Sequence, residues 1–326
     1  MEAAAGLAAD PGRNCVNRVD FMLKSLFWKL RYGTPSLPVA PAPSPGASPA
    51  HAPASDADDM PEPTLWGAVS QACTQAQFEE MHYAYWCKEI REEPRTHRKQ
   101  WEFCYILQAL KNHDMLMPGR RGLGFGVGLE PLAAVFADRG AEVLGTDLEP
   151  DHAHDAGWVA TAQHAHNKAA MNERGICDPE TFDRLVDFRF MDMNAIEPDC
   201  HGQFDFVWSA CAFEHLGSIL NGLEFVVNSV KCLKPGGVAV HTTEFNCSSD
   251  DETLDNAGTV LFRKRDFLLL ERRLKQMGAV MEFNFNLGQQ PLDLHIDTPP
   301  YSVDEHLKLQ IQRWAVTSFG LIIRKT

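Results

Sequence analysis

Short apolar segments and amphipathic segments alternate from Arg120 onward. The apolar segments predict strands at 142–147, 185–191, 204–210, 238–243, 280–285 and 317–324, after a first strand that ends at Leu123. Apolar positions at helical spacing predict a helix that opens at Pro131 and closes near Gly140, and further helices at 155–174, 218–233 and 264–277. This alternation predicts an α/β fold in which helices cover both faces of a seven-stranded, mostly parallel sheet.

The chain before residue 118 carries three other patterns. In region 1–34, apolar side chains at helical spacing, with Arg18, Lys24 and Lys29 among them, predict a basic amphipathic helix over 14–32. Two interpretations of that helix are open: contact with a membrane surface or a partner, and packing on its own domain or a second copy. Residues 35–63 hold nine of the 20 prolines and predict a disordered Pro/Ala-rich linker. Residues 64–117 carry aromatic-rich helical patterns, separated at Pro94, and predict a helical cap on a domain at 118–326.

A glycine-rich turn follows the first predicted strand. Gly124, Gly126 and Gly128 form a G-x-G-x-G pattern before the helix at Pro131. Backbone without side chains can approach a ligand closely. Asp147 ends the next strand, where a carboxylate can accept both hydroxyls of a ribose. The unit therefore predicts a site for a nucleoside cofactor.

The glycine spacing distinguishes two cofactor classes. The dinucleotide pattern is G-x-G-x-x-G, but Leu129 stands where its third glycine belongs. The turn instead resembles motif I of the class I S-adenosylmethionine (SAM) methyltransferases, and later segments resemble the same family in the same order. They are Asp147-Leu148, Asp192-Met193-Asn194, Phe204-Asp205-Phe206-Val207-Trp208, Ala212-Phe213-Glu214-His215-Leu216 and Lys234-Pro235-Gly236-Gly237. The resemblance covers about 118–326 and implies a Rossmann-like class I methyltransferase fold with SAM as cofactor.

The resemblance also implies a set of cofactor-binding residues along the edge of the sheet. They are Gly124, Phe125, Gly126 and Gly128 in the turn, Asp147 and Leu148 at the ribose, and Asp192 and Met193 at the adenine. Many members of the family have an acidic residue two positions before the first glycine, where this chain has Gly122. We predict that Glu130 supplies the missing charge near the methionine ammonium. The alternative is that Glu130 only stabilises the N-terminus of the following helix through the helix dipole.

Composition limits the classes of binding partner and the cellular location that we expect for the protein. A formal net charge of −14 argues against nucleic acid as the main partner and against general binding to anionic membranes. The nine cysteines include no C-x-x-C pair, which favours reduced thiols and a cytoplasmic location and argues against a cysteine-based metal site. We expect no transmembrane segment and no signal peptide, because no apolar stretch is long enough and no basic leader precedes one.

Methyl transfer needs alignment of the acceptor and, for a hydroxyl, a group that takes its proton. We predict His215 and Glu244 as catalytic residues, because they follow central strands at the edge where open α/β sheets bind ligands. His241, His295 and Asp297 are the predicted substrate-binding residues. His295 and Asp297 with His306 also resemble a loose set of metal ligands, but the spacing is unspecific and we expect no metal.

These features predict a SAM-dependent methyltransferase that methylates a hydroxyl of a small molecule or sugar. The segment Thr298-Pro299-Pro300-Tyr301 resembles the motif of amino-group methyltransferases, but it follows strand six instead of strand four and predicts a stiffened loop. An N- or carboxyl-methyltransferase is one alternative. A non-catalytic SAM-binding scaffold that acts through residues 14–32 is another.

Overall fold

The computed structural model describes residues 60–149, 167–302 and 305–326. The strands in these ranges are β1 (Ser70–Ala72), β2 (Thr96–His97), β3 (Arg121–Phe125), β4 (Glu142–Asp147), β5 (Val186–Phe190), β6 (Phe204–Ala210), β7 (Leu233–Asn246), β8 (Ala279–Met281), β9 (Phe283–Asn284), β10 (Glu305–His306), β11 (Leu309–Ile311) and β12 (Trp314–Lys325). The helices are α1 (Gln75–Phe78), α2 (Met81–Glu89), α3 (Arg98–Asn112), α4 (Leu132–Asp138), α5 (Pro179–Leu185), α6 (Ile219–Lys231), α7 (Lys264–Lys275) and α8 (Pro291–Leu294). Short 3-10 turns lie at Lys168–Asn172, Pro198–Cys200 and Phe213–His215.

One sheet unites most of the described strands. Its path is β5–β4–β3–β6–β7–β12–β1–β9, and β8 and β11 pair with β12. Strands β3 to β7 are parallel, whereas β12 runs antiparallel to β7. The strand order reverses at β3, so the carboxyl ends of β3 and β6 border the crevice in which such sheets bind ligands. This topology confirms the predicted α/β Rossmann-like fold. The described sheet has ten strands instead of the predicted seven, because β1 and β11 join it and the predicted sixth strand is divided into β8 and β9.

Two hydrophobic cores cover the two faces of the sheet. Phe206 and Trp208 of β6 pack in the core under α3 and α4, whereas Val207 packs in the core under α6 and α7. Successive side chains of a strand point to opposite faces, so a strand covered on both sides is apolar throughout. This explains why Phe204–Ala210 is a continuous apolar segment with only one charged residue.

Most predicted elements of the domain are found, with two differences in extent. The strands predicted at 142–147 and 204–210 coincide with β4 and β6. The strand predicted at 280–285 is interrupted and forms β8 and β9. The predicted turn at 234–237 lies inside β7, because Leu233 pairs with Phe204 and the register shifts before Phe206 pairs with Val238. The helix predicted at 155–174 falls largely outside the described residues, and its described end is the turn Lys168–Asn172.

The predicted helical cap contributes to the sheet itself. β1 pairs antiparallel with β12, with Gln71 opposite Gly320. Helix α3 lies over β7 and β12. A Cβ on Gly320 would lie 2.0 Å from the ring of Tyr105, so the glycine makes room for this helix. Residues 64–117 are therefore integral to the core: they form the helices α1 to α3 of the predicted cap, and they also supply β1, which was not predicted.

The described chain begins on the surface of the domain. The backbone carbonyls of Met60 and Pro61 accept hydrogen bonds from the side-chain amides of Asn286 and Asn284, both at 2.8 Å. The predicted helix at 14–32 and the linker up to residue 59 lie outside the described residues. The predicted end of the linker, 60–63, is corrected to a segment that is bonded to the domain. No helix in the described ranges combines the length and the apolarity needed to cross a bilayer.

Candidate functional site

The glycine turn closes the carboxyl end of β3. Gly126 and Gly128 have φ angles of 59° and 49°, a left-handed conformation that glycine adopts without strain. A Cβ on Gly126 would lie 3.1 Å from the Cβ of Ala212 and 3.4 Å from the Sδ of Met193. The loops that follow β5 and β6 therefore meet the turn at this glycine.

Gly124 serves packing. A Cβ at this position would lie 2.2 Å from Cζ2 of Trp208 and 2.5 Å from Cγ1 of Val127. The missing side chain lets the indole of β6 lie against β3, which sequence spacing alone could not distinguish from close approach of a ligand. Gly126 and Gly128 shape the turn itself.

Asp147 ties the end of β4 to the turn. Its Oδ2 accepts the Gly128 N–H at 3.0 Å, and its Oδ1 accepts the Leu148 N–H at 2.8 Å. The side chain is nearly buried. Both carboxylate oxygens thus lie beside the turn at the end of β4. The position suits the two hydroxyls of a ribose.

Glu130 is a buried carboxyl group beside Asp147. Its Oε1 accepts the indole N–H of Trp208 at 2.6 Å. Burial raises the pKa of Glu130 well above its usual value; the bond from Trp208 opposes this shift and the charge of Asp147 adds to it. Helix α4 begins after Pro131 without a side-chain cap. The helix-dipole interpretation of Glu130 is thus not accompanied by a capping hydrogen bond. A nearby cation would stabilise the ionised carboxylate.

The loop after β5 forms the other wall of the cofactor site. Asp192 Oδ1 accepts the N–H of Asn194 at 2.8 Å, which turns the chain after Met191. The thioether of Met193 points toward Gly126. A cavity of about 340 Å³ continues from this loop along α6, lined by Met193, Asn194, Asn221, Glu224, Phe225 and Asn228. Its size lies in the range of small-molecule sites.

A buried charged network lies where β6, β7 and β12 meet α3, and we call it the α3 charge cluster. Its members are Arg98, Lys99, Glu102, Cys211 and Glu244. Arg98 Nη1 donates to Glu244 Oε2 at 2.7 Å. Lys99 Nζ lies 3.3 Å from Oε1 of both Glu102 and Glu244, and it also contacts the Sγ of Cys211. Helix α3 is therefore held to the sheet by ion pairs as well as by apolar packing.

The electrostatics of Glu244 favour anchoring over proton transfer. Burial alone would raise its pKa, but Arg98 and Lys99 outweigh burial and lower the pKa to about 2. A carboxylate with such a low pKa stays ionised near neutral pH and is a weak base. Its place near the end of β7 is the predicted one, and its catalytic role stays a prediction.

Cys211 and Glu214 follow β6 beside the glycine turn, and sequence analysis assigned neither a role. Cys211 has a φ of 49°, which is uncommon for a residue with a side chain, and its Sγ lies 3.5 Å from Glu244 Oε1. Glu214 is fully buried. Its Oε2 accepts the hydroxyl of Thr243 at 3.1 Å, whereas its Oε1 has no hydrogen-bond partner in the described part of the chain. A buried, unpaired carboxylate oxygen is costly and favours a ligand that would satisfy it.

His215 has a defined orientation. Its Nδ1 lies 2.9 Å from the carbonyl oxygen of Gly258. Because a carbonyl only accepts, Nδ1 carries the proton and Nε2 is the basic nitrogen of the neutral ring. Nε2 lies 3.9 Å from Glu214 Oε1. The ring is partly exposed, as a group that contacts a substrate requires.

His241 does not lie where the prediction placed it. The side chain is fully buried in the structure. Its Nδ1 lies 2.9 Å from the hydroxyl of Ser209, and its Nε2 lies 3.0 Å from the hydroxyl of Ser229 on α6. Both ring nitrogens are thus used inside the core, and the predicted substrate contact of His241 is corrected to a structural one.

His295 and Asp297 lie in the segment between α8 and β10, and they differ in exposure. His295 is exposed after α8, whereas Asp297 is buried. Asp297 Oδ2 accepts the N–H of Ser302 at 2.9 Å and lies 2.6 Å from Nδ1 of His306. Burial lowers the pKa of His306 to about 4; Arg98 adds to this shift and Asp297 opposes it. Asp297 therefore fixes the loop, and the acceptor contacts of His295 and Asp297 stay predictions.

Comparison with known protein families finds a match over the strands and loops that form this site. Residues 122–241 match the family model of the methyltransferase domain. This region therefore resembles methyltransferase domains in its sequence. The matched segment begins in β3 and ends in β7, and thus includes the turn, Asp147, Met193 and Glu214. No curated protein matches the chain.

Solved structures of methyltransferases resemble this chain at low identity. A methyltransferase from Galdieria sulphuraria is 18% identical with a TM-score of 0.38, over 56% of this chain and 59% of that chain. Phosphoethanolamine N-methyltransferase 2 of Haemonchus contortus is 19% identical with a TM-score of 0.37, over 61% and 41%. A SAM-dependent methyltransferase from Mesorhizobium loti is 15% identical with a TM-score of 0.40, over 67% and 96%. The chain thus spans about three fifths and two fifths of the length of the first two.

The cofactor of this domain family is SAM, and the residues at the turn fit it. Asp147 and Glu130 bring two carboxyl groups to the end of β3 and β4, where a positively charged nucleoside gains from both. Gly126 leaves space only for backbone between Met193 and Ala212. The G-x-G-x-G spacing also departs from the dinucleotide pattern of NAD sites.

Proposed function

We propose that this methyltransferase transfers the methyl group of SAM to a hydroxyl group of a small molecule or sugar. The observation that supports it is the contact of Ala212 with the glycine turn at Gly126. Ala212 links the cofactor turn to a polar segment, because Cys211 precedes it and Glu214 and His215 follow it. A methyl group presented at the turn would face these polar side chains.

The cofactor roles follow from the carboxyl groups and the thioether. SAM supplies a methyl group bound to a positively charged sulfur. In this proposal Asp147 accepts the ribose hydroxyls, Glu130 faces the methionine ammonium, and Met193 contacts the adenine. Burial of Glu130 supports its role, since a desolvated carboxylate is stabilised strongly by an adjacent cation.

The acceptor roles follow from the orientation of His215. Its Nε2 accepts a hydrogen bond from the acceptor hydroxyl and takes the proton as the new bond forms, because Nδ1 is already committed to Gly258. The carboxylate of Glu214 then stabilises the charged ring. Glu244 supports this arrangement because its bond to Arg98 fixes α3 against β7.

Methylation of an amine is the second candidate. Glu214 Oε1, which lacks a hydrogen-bond partner in the described ranges, suits an ammonium as well as a hydroxyl. Protein or carboxyl methylation and a non-catalytic scaffold role are further alternatives. Each of these alternatives includes the same SAM site. They differ in the molecule that would bind beside the methyl group.

Two measurements test the proposal. Calorimetry on the full chain should show binding of SAM and S-adenosylhomocysteine and none of NAD; binding of NAD without SAM would contradict the cofactor assignment. Methyl-labelled SAM should then be incubated with separate panels of hydroxylated sugars, phenols and amines, and the products analysed by mass spectrometry. Label on oxygen supports the proposal, label on nitrogen supports the second candidate, and SAM binding without turnover on any panel or on a cell extract supports the scaffold.

A further inference from the structure

We propose that Cys211, Glu214 and Glu244 form a binding site for a divalent cation of the zinc class. One ligand atom from each side chain lies within 4.8 Å of the others. Metal–ligand bonds of about 2.0–2.3 Å place the ligand atoms of a tetrahedral zinc site roughly 3.3–3.8 Å apart. Small rotations of these side chains therefore suffice to close the site around one ion. The inference goes beyond methyl transfer, and it assigns a metal to the same Glu214 carboxylate that the proposed function places beside the acceptor.

The unpaired oxygen of Glu214 is a second, independent indication of a ligand. Glu214 is fully buried, and its Oε1 has no hydrogen-bond partner among the residues that the structure describes. Its Oε2 is held by Thr243, so the carboxylate cannot rotate freely to reach solvent. A buried acceptor in this state is stabilised by a cation that coordinates it.

The ligands come from two adjacent strand ends, which fixes their separation. Cys211 and Glu214 follow β6, and Glu244 lies in β7, which pairs with β6 up to Ala210 opposite Thr242. Arg98 binds Oε2 of Glu244, which leaves Oε1 directed toward the Sγ of Cys211 at 3.5 Å. The arginine thus acts like the outer partners that orient carboxylate ligands in metal sites.

Lys99 marks the place where a positive charge is favoured. Its ammonium contacts Cys211 Sγ and Glu244 Oε1, the same two atoms that would bind the metal. The Lys99 side chain is 38% exposed, so it can move outward when an ion replaces it. Lysine and metal therefore compete for one position in the α3 charge cluster.

The donor set indicates the kind of ion. A thiolate together with two carboxylates suits Zn²⁺ or Co²⁺, whereas Mg²⁺ and Ca²⁺ bind oxygen alone. The sequence predicted no metal because it contains no C-x-x-C pair. That criterion fails here because the three ligands converge from β6 and β7, and sequence spacing cannot show such convergence.

Co²⁺ titration of the full chain tests the site. The protein is freed of metal with a chelator, and Co²⁺ is used as the spectroscopic probe for Zn²⁺. We expect thiolate-to-cobalt absorption in the near ultraviolet with one ion per chain, and its displacement by Zn²⁺. Cys211→Ser should abolish this absorption, whereas Cys247→Ser, a change at another half-buried cysteine, should preserve it. Glu214→Gln should weaken binding by about tenfold or more, and Lys99→Met should strengthen it by removing the competing charge.

Two outcomes would overturn the proposal. One is the absence of thiolate-to-cobalt absorption in the unmodified chain at millimolar Co²⁺. The other is equal absorption in Cys211→Ser and in the unmodified chain, which would place the ion at other thiols. SAM binding by each variant, measured calorimetrically without metal, shows that it is folded. Failure of the methyltransferase assignment leaves the absorption unaffected, so the two proposals fail separately.

Discussion

Asp147 accepts the backbone N–H groups of Gly128 in the glycine turn and of Leu148 at the end of β4. We predict that Asp147→Ala weakens SAM binding by about 1.5–3 kcal/mol, the range for a hydrogen bond to a charged group. Calorimetry measures this directly. Asp187→Ala changes an exposed carboxyl group on the neighbouring β5 and should leave SAM affinity unchanged. Equal affinities of the Asp147 variant and the unmodified chain would remove Asp147 from the cofactor site.

His215 is the residue whose loss should separate catalysis from cofactor binding. We predict that His215→Ala lowers kcat by about 10²–10⁴-fold, the usual effect of losing a general base, while SAM affinity stays nearly the same. The exposed His201 provides the matched control, because His201→Ala should leave both quantities unchanged. Unchanged kcat in the His215 variant would mean that alignment alone suffices or that another group takes the proton.

His241 couples stability to pH through the core. Burial lowers its pKa from 6.5 to about 3, so between these values the unfolded chain binds a proton that the folded chain does not. Its contribution to stability is therefore complete above about pH 6.5 and is lost as the pH falls toward 3, by on the order of 1 kcal/mol per pH unit. Urea unfolding at pH 7, 6, 5 and 4 should show a shallower decline for His241→Gln than for the unmodified chain. A matched change at the surface, His201→Gln, should leave the decline as it is, and equal declines for all three proteins would contradict this account.

The cofactor residues that sequence analysis predicted are those whose neighbours in the site are close along the chain. Gly126, Gly128 and Asp147 belong to one strand–turn–helix–strand unit, so their spacing carried the prediction. Arg98 and Glu244 are 146 residues apart, and their ion pair depends on how α3 docks on the sheet. His241 and Glu244 both lie in β7, yet one enters the core and the other meets α3. Alternation along the strand puts these two residues on opposite faces, but the sequence does not show which face meets α3.

At the scale of the elements, the packing of β6 against β3 requires a glycine at position 124. We predict that Gly124→Ala destabilises the fold by about 1–3 kcal/mol, because the added Cβ would lie 2.2 Å from the Trp208 ring and the indole would have to move. Chemical denaturation gives the free energy of unfolding. Gly67→Ala is the control, since its Cβ would meet only Thr64 Oγ1 at 3.3 Å. Equal stabilities would show that the indole adjusts without cost.

The central strands were predictable as elements, whereas the short ones were not. β4 and β6 are apolar and buried, so their pattern defines both ends. β1 has three residues, and it becomes a strand because β12 and β9 lie on either side of it. Leu233 joins β7 through its pairing with Phe204, although Gly236 and Gly237 follow it. Such assignments depend on neighbours that are distant in sequence.

At the scale of the whole molecule, we propose that the catalytic body is contained in residues 60–326. A truncated protein without residues 1–59 should fold and bind SAM with unchanged affinity, because a Pro/Ala-rich segment buries no core. Circular dichroism and calorimetry test this. A further truncation to residue 64 should lower stability slightly, since it removes the carbonyl groups that bind Asn284 and Asn286. Failure of the first truncation to fold would make the N-terminal segment part of the domain.

β1 also constrains how the protein is made. In the described structure its partners are β9 and β12, and Ser70 Oγ bonds the carbonyl of Ile322, 252 residues later. During synthesis β1 emerges early but cannot pair until the ribosome has released β12, and contacts over such separations form slowly. Until then the aromatic helix α3 lacks the strands β7 and β12 that it packs against in the folded domain. Its apolar face is exposed at this stage of synthesis, where chaperones would bind it.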